Sequence, residues 1–206
     1  MGRPKRLGVM GGTFDPIHYG HLVTAEAAVW KFSLDEVVFV PTGHPWMKEH
    51  QEVAPAEHRY LMTVIATASN PRFSVSRIEV EREGPTYAVD TLQELRRTAE
   101  EEVELYFITG ADAVLEIFQW KDPEEVLSMA HFIAATRPGY DLARLEEAAP
   151  TDAGGQPRIS VMDIPALAIS STDVRRRVRD GEPIRYLVPE GVLAYIHKTG
   201  LYKESA

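Results

Sequence analysis

Short apolar runs alternate along this chain with longer stretches in which apolar residues recur every three or four positions. The first kind predicts strands buried on both faces, the second amphipathic helices. Strands are predicted over Lys5–Met10, Glu36–Val40, Phe73–Val80, Val103–Thr109, His131–Thr136 and Ile159–Met162. Helices are predicted over Leu22–Phe32, Pro55–Ala68 and Thr86–Ala99, the last with Val89, Leu92 and Leu95 as its stripe. Further helices are expected over Ala111–Phe118, Pro123–Met129, Asp141–Ala149, Ile169–Arg179 and Val188–Lys198. The helix beginning Ile169-Ser170-Ser171-Thr172-Asp173 carries a hydroxyl N-cap and an acid in its first turn.

Strand and helix alternate almost throughout, which predicts an α/β fold: a doubly wound, mostly parallel sheet with helices on both faces. The 206 residues suffice for one domain, residues 1–206, with a small C-terminal helical part from about residue 166. In such a sheet the loops leaving the strands share one edge. Residues 11–21, 41–48, 110–112 and 137–140 would therefore meet at one crevice, joined by Ser170–Thr172.

Composition narrows the partners. Net charge is −9, which argues against a general nucleic-acid binder. There are no cysteines, so disulfides and thiolate zinc sites are excluded. No apolar stretch reaches the length of a membrane span and no secretory signal pattern is evident, so a cytoplasmic location is expected.

The segment Gly11–Leu22, GGTFDPIHYGHL, lies where the first strand hands over to the first helix. Glycines permit tight turning and close backbone approach, and a helix N-terminus offers free N–H donors and partial positive charge, which together suit phosphate. His18 and His21 stand three apart at that opening. As metal ligands they form a weaker signal than HExxH, and a capped or surface pair is the plain structural alternative. Lys48, Arg137 and Arg175 add cations, and Ser170, Ser171 and Thr172 add hydroxyls. The set suits an oligophosphate, whereas neither a GxSxG elbow nor a Walker phosphate loop is present. A lone Trp such as Trp120 is more often a packing residue than a ring platform, and Trp46, in a polar Pro/Gly loop, suits an exposed or lid position.

With ISSTDVRRRV, the GGTFDPIHYGHL segment resembles the HxGH nucleotidyltransferase superfamily, and GPTYAVDTL with FITGADAVLEIFQW narrows the resemblance to bacterial nicotinate-nucleotide adenylyltransferases. The resemblance spans about residues 6–202 and implies a Rossmann-like sheet. It implies transfer of the adenylyl group of ATP to nicotinate mononucleotide, giving deamido-NAD and pyrophosphate, with Mg2+ held mainly by phosphates and water and no metal ligands from the protein. By the same resemblance His18, His21 and Arg175 would be catalytic. Gly11, Gly12, Thr13, Phe14, Gly110, Asp112, Ser171 and Thr172 would join them on ATP. His44, Lys48, Thr86, Tyr87, Asp112, Trp120 and Arg137 would hold the mononucleotide. Partners would be these two small molecules, with neither nucleic acid nor membrane, and a homo-oligomer is left open. The loop at His44-Pro45-Trp46-Met47-Lys48 departs from the family's usual Asn-x-Pro-Pro-His-Lys, with Met47 in place of the histidine. Sister enzymes acting on nicotinamide mononucleotide or phosphopantetheine, and a non-catalytic nucleotide sensor, are the competing readings.

Overall fold

A computed structural model of the chain describes residues 3–44, 53–136, 151, 158–165 and 167–203. The helix expected over Asp141–Ala149 and the side chains of Trp46, Lys48 and Arg137 lie outside the described residues. Six strands form one sheet: β1 (Lys5–Gly12), β2 (Glu36–Pro41), β3 (Phe73–Val75), β4 (Val103–Gly110), β5 (Ala130–Thr136) and β6 (Ile159–Asp163). Their order is β3-β2-β1-β4-β5-β6, and every pairing is parallel. The helices are α1 (Tyr19–Phe32), α2 (Ala56–Thr67), α3 (Ala88–Thr98), α4 (Ala111–Leu115), α5 (Pro123–Met129), α6 (Ser171–Arg179) and α7 (Glu190–Thr199).

Alternation along the strands decides which side of the sheet each residue covers. Met10, Val37, Phe39, Ile108 and Ile133 pack with Ala25, Ala28 and Val29 of α1 and Met62 of α2. Val9, Val38, Leu105, Phe107 and Phe132 face the other way, against Val89 and Leu92 of α3 and Val126 and Leu127 of α5. Each of these Val, Leu, Ile, Phe and Met side chains contributes about 1.5–3 kcal/mol by leaving water. The first cluster also takes in Val174, Ile184, Val192 and Ile196. The C-terminal helices therefore share the core that roots β1 and α1, and this seats α6 beside the β1–α1 connection.

Three expectations need correction. The third strand stops at Val75 rather than Val80. The Ser76 hydroxyl accepts the Ile78 N–H and the Arg77 carbonyl accepts the Glu81 N–H, so the chain turns off the sheet edge. Helix α1 begins three residues before Leu22, because Tyr19, Gly20 and His21 add no apolar stripe to read. The helix expected over Ala111–Phe118 ends at Leu115 and continues as a 3-10 turn over Ile117–Gln119.

The chain order reverses between β1 and β4, which lie side by side in register, with Met10 opposite Ile108. Parallel sheets leave a crevice beyond the strand ends at such a reversal. Gly11 and Gly12 end β1 there, and Gly110 ends β4.

Candidate active site

Two cavities open at that edge, and Thr109 lines both. One, of about 390 Å³, is bordered by His18, His21, Gly110 and Asp112. The other, of about 300 Å³, is bordered by Gly11, Gly12, Thr13, Thr86, Tyr87 and Trp120.

The histidine arrangement follows from local backbone chemistry. His18 is the N-cap of α1 in extended conformation, φ −145° and ψ 170°. Its ring lies back over the first turn, where a Cβ at position 20 would stand 2.9 Å from its Cε1 and Nδ1, so the helix needs glycine there. The backbone N–H of His18 donates to Nδ1 of His21 at 3.2 Å. The His21 imidazole thus does what a Glu or Gln does at the third helical position of a capping box. An accepting Nδ1 dictates a proton on Nε2, so neutral His21 presents an Nε2–H donor. The two rings stack with centroids 3.8 Å apart, and the Phe14 ring meets His21 edge-on at 5.1 Å.

The loop before α1 is fixed from the far end of the chain. Arg175 Nη1 donates to the Asp15 carbonyl at 2.7 Å and lies 3.6 Å from Asp15 Oδ2. The Ser171 hydroxyl donates to the Pro16 carbonyl at 2.9 Å. The Tyr202 hydroxyl donates to Asp15 Oδ1 at 2.7 Å, and burial together with that carboxylate pushes the phenol above its ordinary range. Ser170 caps α6, accepting the Asp173 N–H at 3.1 Å.

Arg59 holds the same loop from beneath. It is 1% exposed, and its guanidinium donates to the carbonyls of Thr13 at 2.8 Å, Gly43 at 3.0 Å and Ala54 at 2.8 Å. Burial lowers its pKa, while Asp15 pulls it back up. The Gly12 carbonyl is taken by the Thr42 N–H at 2.9 Å. In a trans peptide the N–H points opposite to the preceding carbonyl. With the Gly12 and Thr13 carbonyls both engaged, the Thr13 and Phe14 amides are turned the other way.

In the smaller cavity Trp120 is half-buried, its ring edge-on to Phe107 at 5.8 Å and to Phe132 at 6.3 Å. Thr86 is buried, and its hydroxyl donates to the His44 carbonyl at 3.4 Å. Glu79 forms part of the wall and accepts the Thr91 hydroxyl at 2.7 Å; burial pushes its carboxyl up, against that hydrogen bond. Gly43 passes so close to the Glu79 carbonyl that any side chain would strike it.

Most of the expected residues fall into two groups, while Ser171, Thr172 and Arg175 border neither cavity. His18, His21, Gly110 and Asp112 border one cavity, and Ile169, just before the Ser170 cap, borders it too. Gly11, Gly12 and Thr13, expected on ATP, border the other cavity with Thr86, Tyr87 and Trp120. Phe14 is 2% exposed, so its ring is core and only its backbone can meet a ligand. Asp112 borders the histidine cavity alone, and His44 is exposed and borders neither. Arg59, Glu79, Tyr202 and Lys121 escaped the sequence reading. Arg59 had a signal: it shares the buried stripe of α2 with Met62, Thr63 and Ala66.

The donor set is made of N–H, hydroxyl and guanidinium groups, which bind anions. Among the described residues no group of three or more His, Asp or Glu side chains is placed to hold a metal ion. No helix among them is long and apolar enough to cross a membrane.

Residues 9–177 match the cytidylyltransferase-like family model. The chain is 60% identical over 202 residues to a probable nicotinate-nucleotide adenylyltransferase of Moorella thermoacetica, covering 98% of this chain and 93% of that one. It is 57% identical over 195 residues to the protein of the same description from Streptomyces coelicolor, covering 94% and 99%. Its fold is similar to that of Plasmodium falciparum nicotinic acid mononucleotide adenylyltransferase complexed with NaAD, with TM-score 0.74 and 21% identity over 96% of this chain and 97% of that one. The same enzyme complexed with APC gives TM-score 0.71 at 22% identity over 96% and 97%.

Proposed function

The chain belongs to the cytidylyltransferase-like family, among its nicotinate-nucleotide adenylyltransferases, and from that premise we propose how its residues carry the adenylyl group of ATP to nicotinate mononucleotide. The observation that carries the reading is the pair of cavities meeting at the β1–β4 reversal, one bordered by stacked histidines and the other by Trp120 and Tyr87. ATP occupies the first and the mononucleotide the second, so that both phosphates approach Thr109 from opposite sides.

A phosphate oxygen of nicotinate mononucleotide attacks the α-phosphorus of ATP in line. The new O–P bond forms as the bond to the β-phosphate oxygen breaks, and pyrophosphate leaves. The acceptor brings its own nucleophile, so no covalent enzyme intermediate is part of the route. The protein aligns two anions and stabilises charge as it shifts onto the leaving group. His21 donates from Nε2 to an α-phosphate oxygen, and His18, stacked on it, flanks the same phosphate. The Thr13 and Phe14 amides complete the cradle. Ser171, Thr172 and Arg175, at the start of α6, hold the β- and γ-phosphates, with the helix N-terminus adding to the field.

Trp120 stacks on the pyridine ring, and Thr86 with Tyr87 reads its carboxyl group. Gly110 and Asp112 border the nucleoside, and His44, Lys48 and Arg137 serve the mononucleotide. Mg2+ fits this donor set as an ion carried in by the triphosphate rather than held by carboxylates, and when bound it neutralises charge on the departing pyrophosphate. The C-terminal part from about residue 166 acts within the same catalytic domain. A cytoplasmic location suits two substrates too highly charged to cross a lipid bilayer.

The test offers the protein ATP and Mg2+ with nicotinate mononucleotide, nicotinamide mononucleotide or phosphopantetheine, and measures pyrophosphate. Release with the first, yielding deamido-NAD, is expected. Release only with one of the others, or with none, overturns the reading.

A further inference from the structure

We propose that the Lys121 side chain sets the preference for nicotinate over nicotinamide mononucleotide, by placing a positive charge where the ring substituent ends. The proposal rests on the adenylyltransferase reading and adds to it a residue for which the sequence offered no role.

The direction of the acceptor in its cavity follows from the reaction. Its phosphate must reach the α-phosphorus of ATP, so it lies at the Gly11–Thr13 and Thr109 end, which adjoins the histidine cavity. The pyridine ring then lies at the other end, among Trp120, Tyr87 and Thr86. Lys121 follows Trp120 directly and borders the same cavity. Its ammonium stands over the Tyr87 ring, 4.8 Å from the centroid. Asp90, in the first turn of α3, holds the ammonium there through contacts of 3.2 and 3.4 Å.

Nicotinate and nicotinamide have nearly the same shape and differ in the charge of one substituent. Hydrogen bonds from backbone or hydroxyl donors serve a carboxylate and an amide oxygen alike. A fixed charge separates them. Among the described residues bordering this cavity Lys121 is the one cation and Glu79 the one acid. The chain carries a net charge of −9, so an anionic ring enters against the overall field unless a local cation offsets it. The Lys121 and Asp90 side chains are 44% and 35% exposed, a setting in which an ion pair is worth at most about 1 kcal/mol. Asp90 therefore orients the ammonium without consuming its attraction for a second anion.

The bland alternative makes Lys121 a surface partner of Asp90 and nothing more. The two readings separate in the ratio of kcat/KM for nicotinate mononucleotide to that for nicotinamide mononucleotide, measured for the wild type, Lys121→Met, Lys121→Arg and Asp90→Asn. We expect Lys121→Met to lower the ratio about fivefold, as one partly exposed charge pair of about 1 kcal/mol warrants, with the loss in KM for the nicotinate substrate. Lys121→Arg should keep most of the ratio, and Asp90→Asn should keep or raise it. A Lys121→Met protein with the wild-type ratio overturns the proposal, as does an Asp90→Asn protein whose ratio falls as far as that of Lys121→Met. A wild type that makes no deamido-NAD overturns instead the adenylyltransferase reading on which the ratio depends.

Discussion

The Tyr202 hydroxyl donates to Oδ1 of Asp15 at 2.7 Å, although 187 positions separate the two residues. Asp15 is 2% exposed, and its other oxygen receives the Ala54 N–H at 3.4 Å and faces Arg175 at 3.6 Å. A buried carboxylate is tolerated only with such company. In the proposed mechanism Arg175 turns to the triphosphate, and Tyr202 and Ala54 remain to hold the charge left behind. On that proposal the C-terminal end of the described chain helps decide how readily Arg175 is released.

Tyr202→Phe removes one donor from Asp15 and leaves the ring in place. The expected cost is about 1–3 kcal/mol of stability, from a buried acceptor left short of a donor. Arg175 should then be held more tightly on Asp15, raising KM for ATP more than KM for nicotinate mononucleotide. Thermal unfolding with steady-state kinetics in both substrates checks this; equal changes in the two KM values contradict the link to Arg175.

Arg59 joins the Thr13 carbonyl of the β1–α1 connection to the Gly43 and Ala54 carbonyls at the two ends of the β2–α2 connection. A lysine keeps the charge but has one nitrogen and no planar fork, so Arg59→Lys leaves buried carbonyls without donors. A loss of about 2–4 kcal/mol is expected in denaturant titration. Because Gly12 and Thr13 border the cavity proposed for the mononucleotide, KM for that substrate should rise as well. Wild-type stability in Arg59→Lys would mean that water or a rearranged backbone replaces the fork.

The alternation of β-branched runs and amphipathic stretches made the parallel sheet legible, most plainly at β2, where Val37 to Val40 are buried on both faces and read as one apolar run. The stop at Val75 was not legible: Ser76 to Glu81 keep an alternating pattern, but the Ile78 and Glu81 N–H groups turn to the Ser76 hydroxyl and the Arg77 carbonyl instead of a neighbouring strand. In the site, local motifs declared themselves through glycine spacing, as at Gly20 beneath the His18 ring. The division of Gly11–Thr13 from His18 and His21 between two cavities was hidden, since it depends on which way the chain turns at Phe14, where φ is 48°. Tyr202 was invisible because its partner is distant in sequence and it lies beyond the last helix. Arg59 could have been found, since a charged residue on a buried stripe demands a reason.

Glu79 provides a pH test with a definite sign. Burial raises its carboxyl pKa above the ordinary value, so the folded state keeps the proton to higher pH than the unfolded state does. Its contribution is fully present below the unfolded pKa, about 4.3, and is lost as pH rises through the folded value. Glu79→Gln has no proton to lose, and its amide oxygen still accepts from Thr91. The unfolding temperature of the variant minus that of the wild type should therefore increase between pH 4 and pH 8. A difference that stays flat or shrinks with pH contradicts a carboxyl pKa raised by burial.

His21 performs two tasks with two nitrogens, and substitution can separate them. Nδ1 accepts the His18 N–H and closes the first turn of α1. His21 borders the cavity, and in the proposed mechanism its Nε2–H meets the charge that develops at the α-phosphate. His21→Ala removes both. His21→Asn keeps a carbonyl oxygen near the position of Nδ1 and has nothing at the position of Nε2. Alanine should thus cost about 1 kcal/mol of stability through the lost cap, and asparagine much less. Both should lower kcat by about 10²–10³, the loss typical for one donor to a developing anion. KM for ATP should move less than about threefold in either, since an interaction made only in the transition state leaves ground-state binding alone. Thermal unfolding and kinetics on the two variants decide the assignment. If asparagine restores kcat along with stability, the cap was the whole role of His21, and the charge at phosphorus is met by His18 or the backbone amides instead.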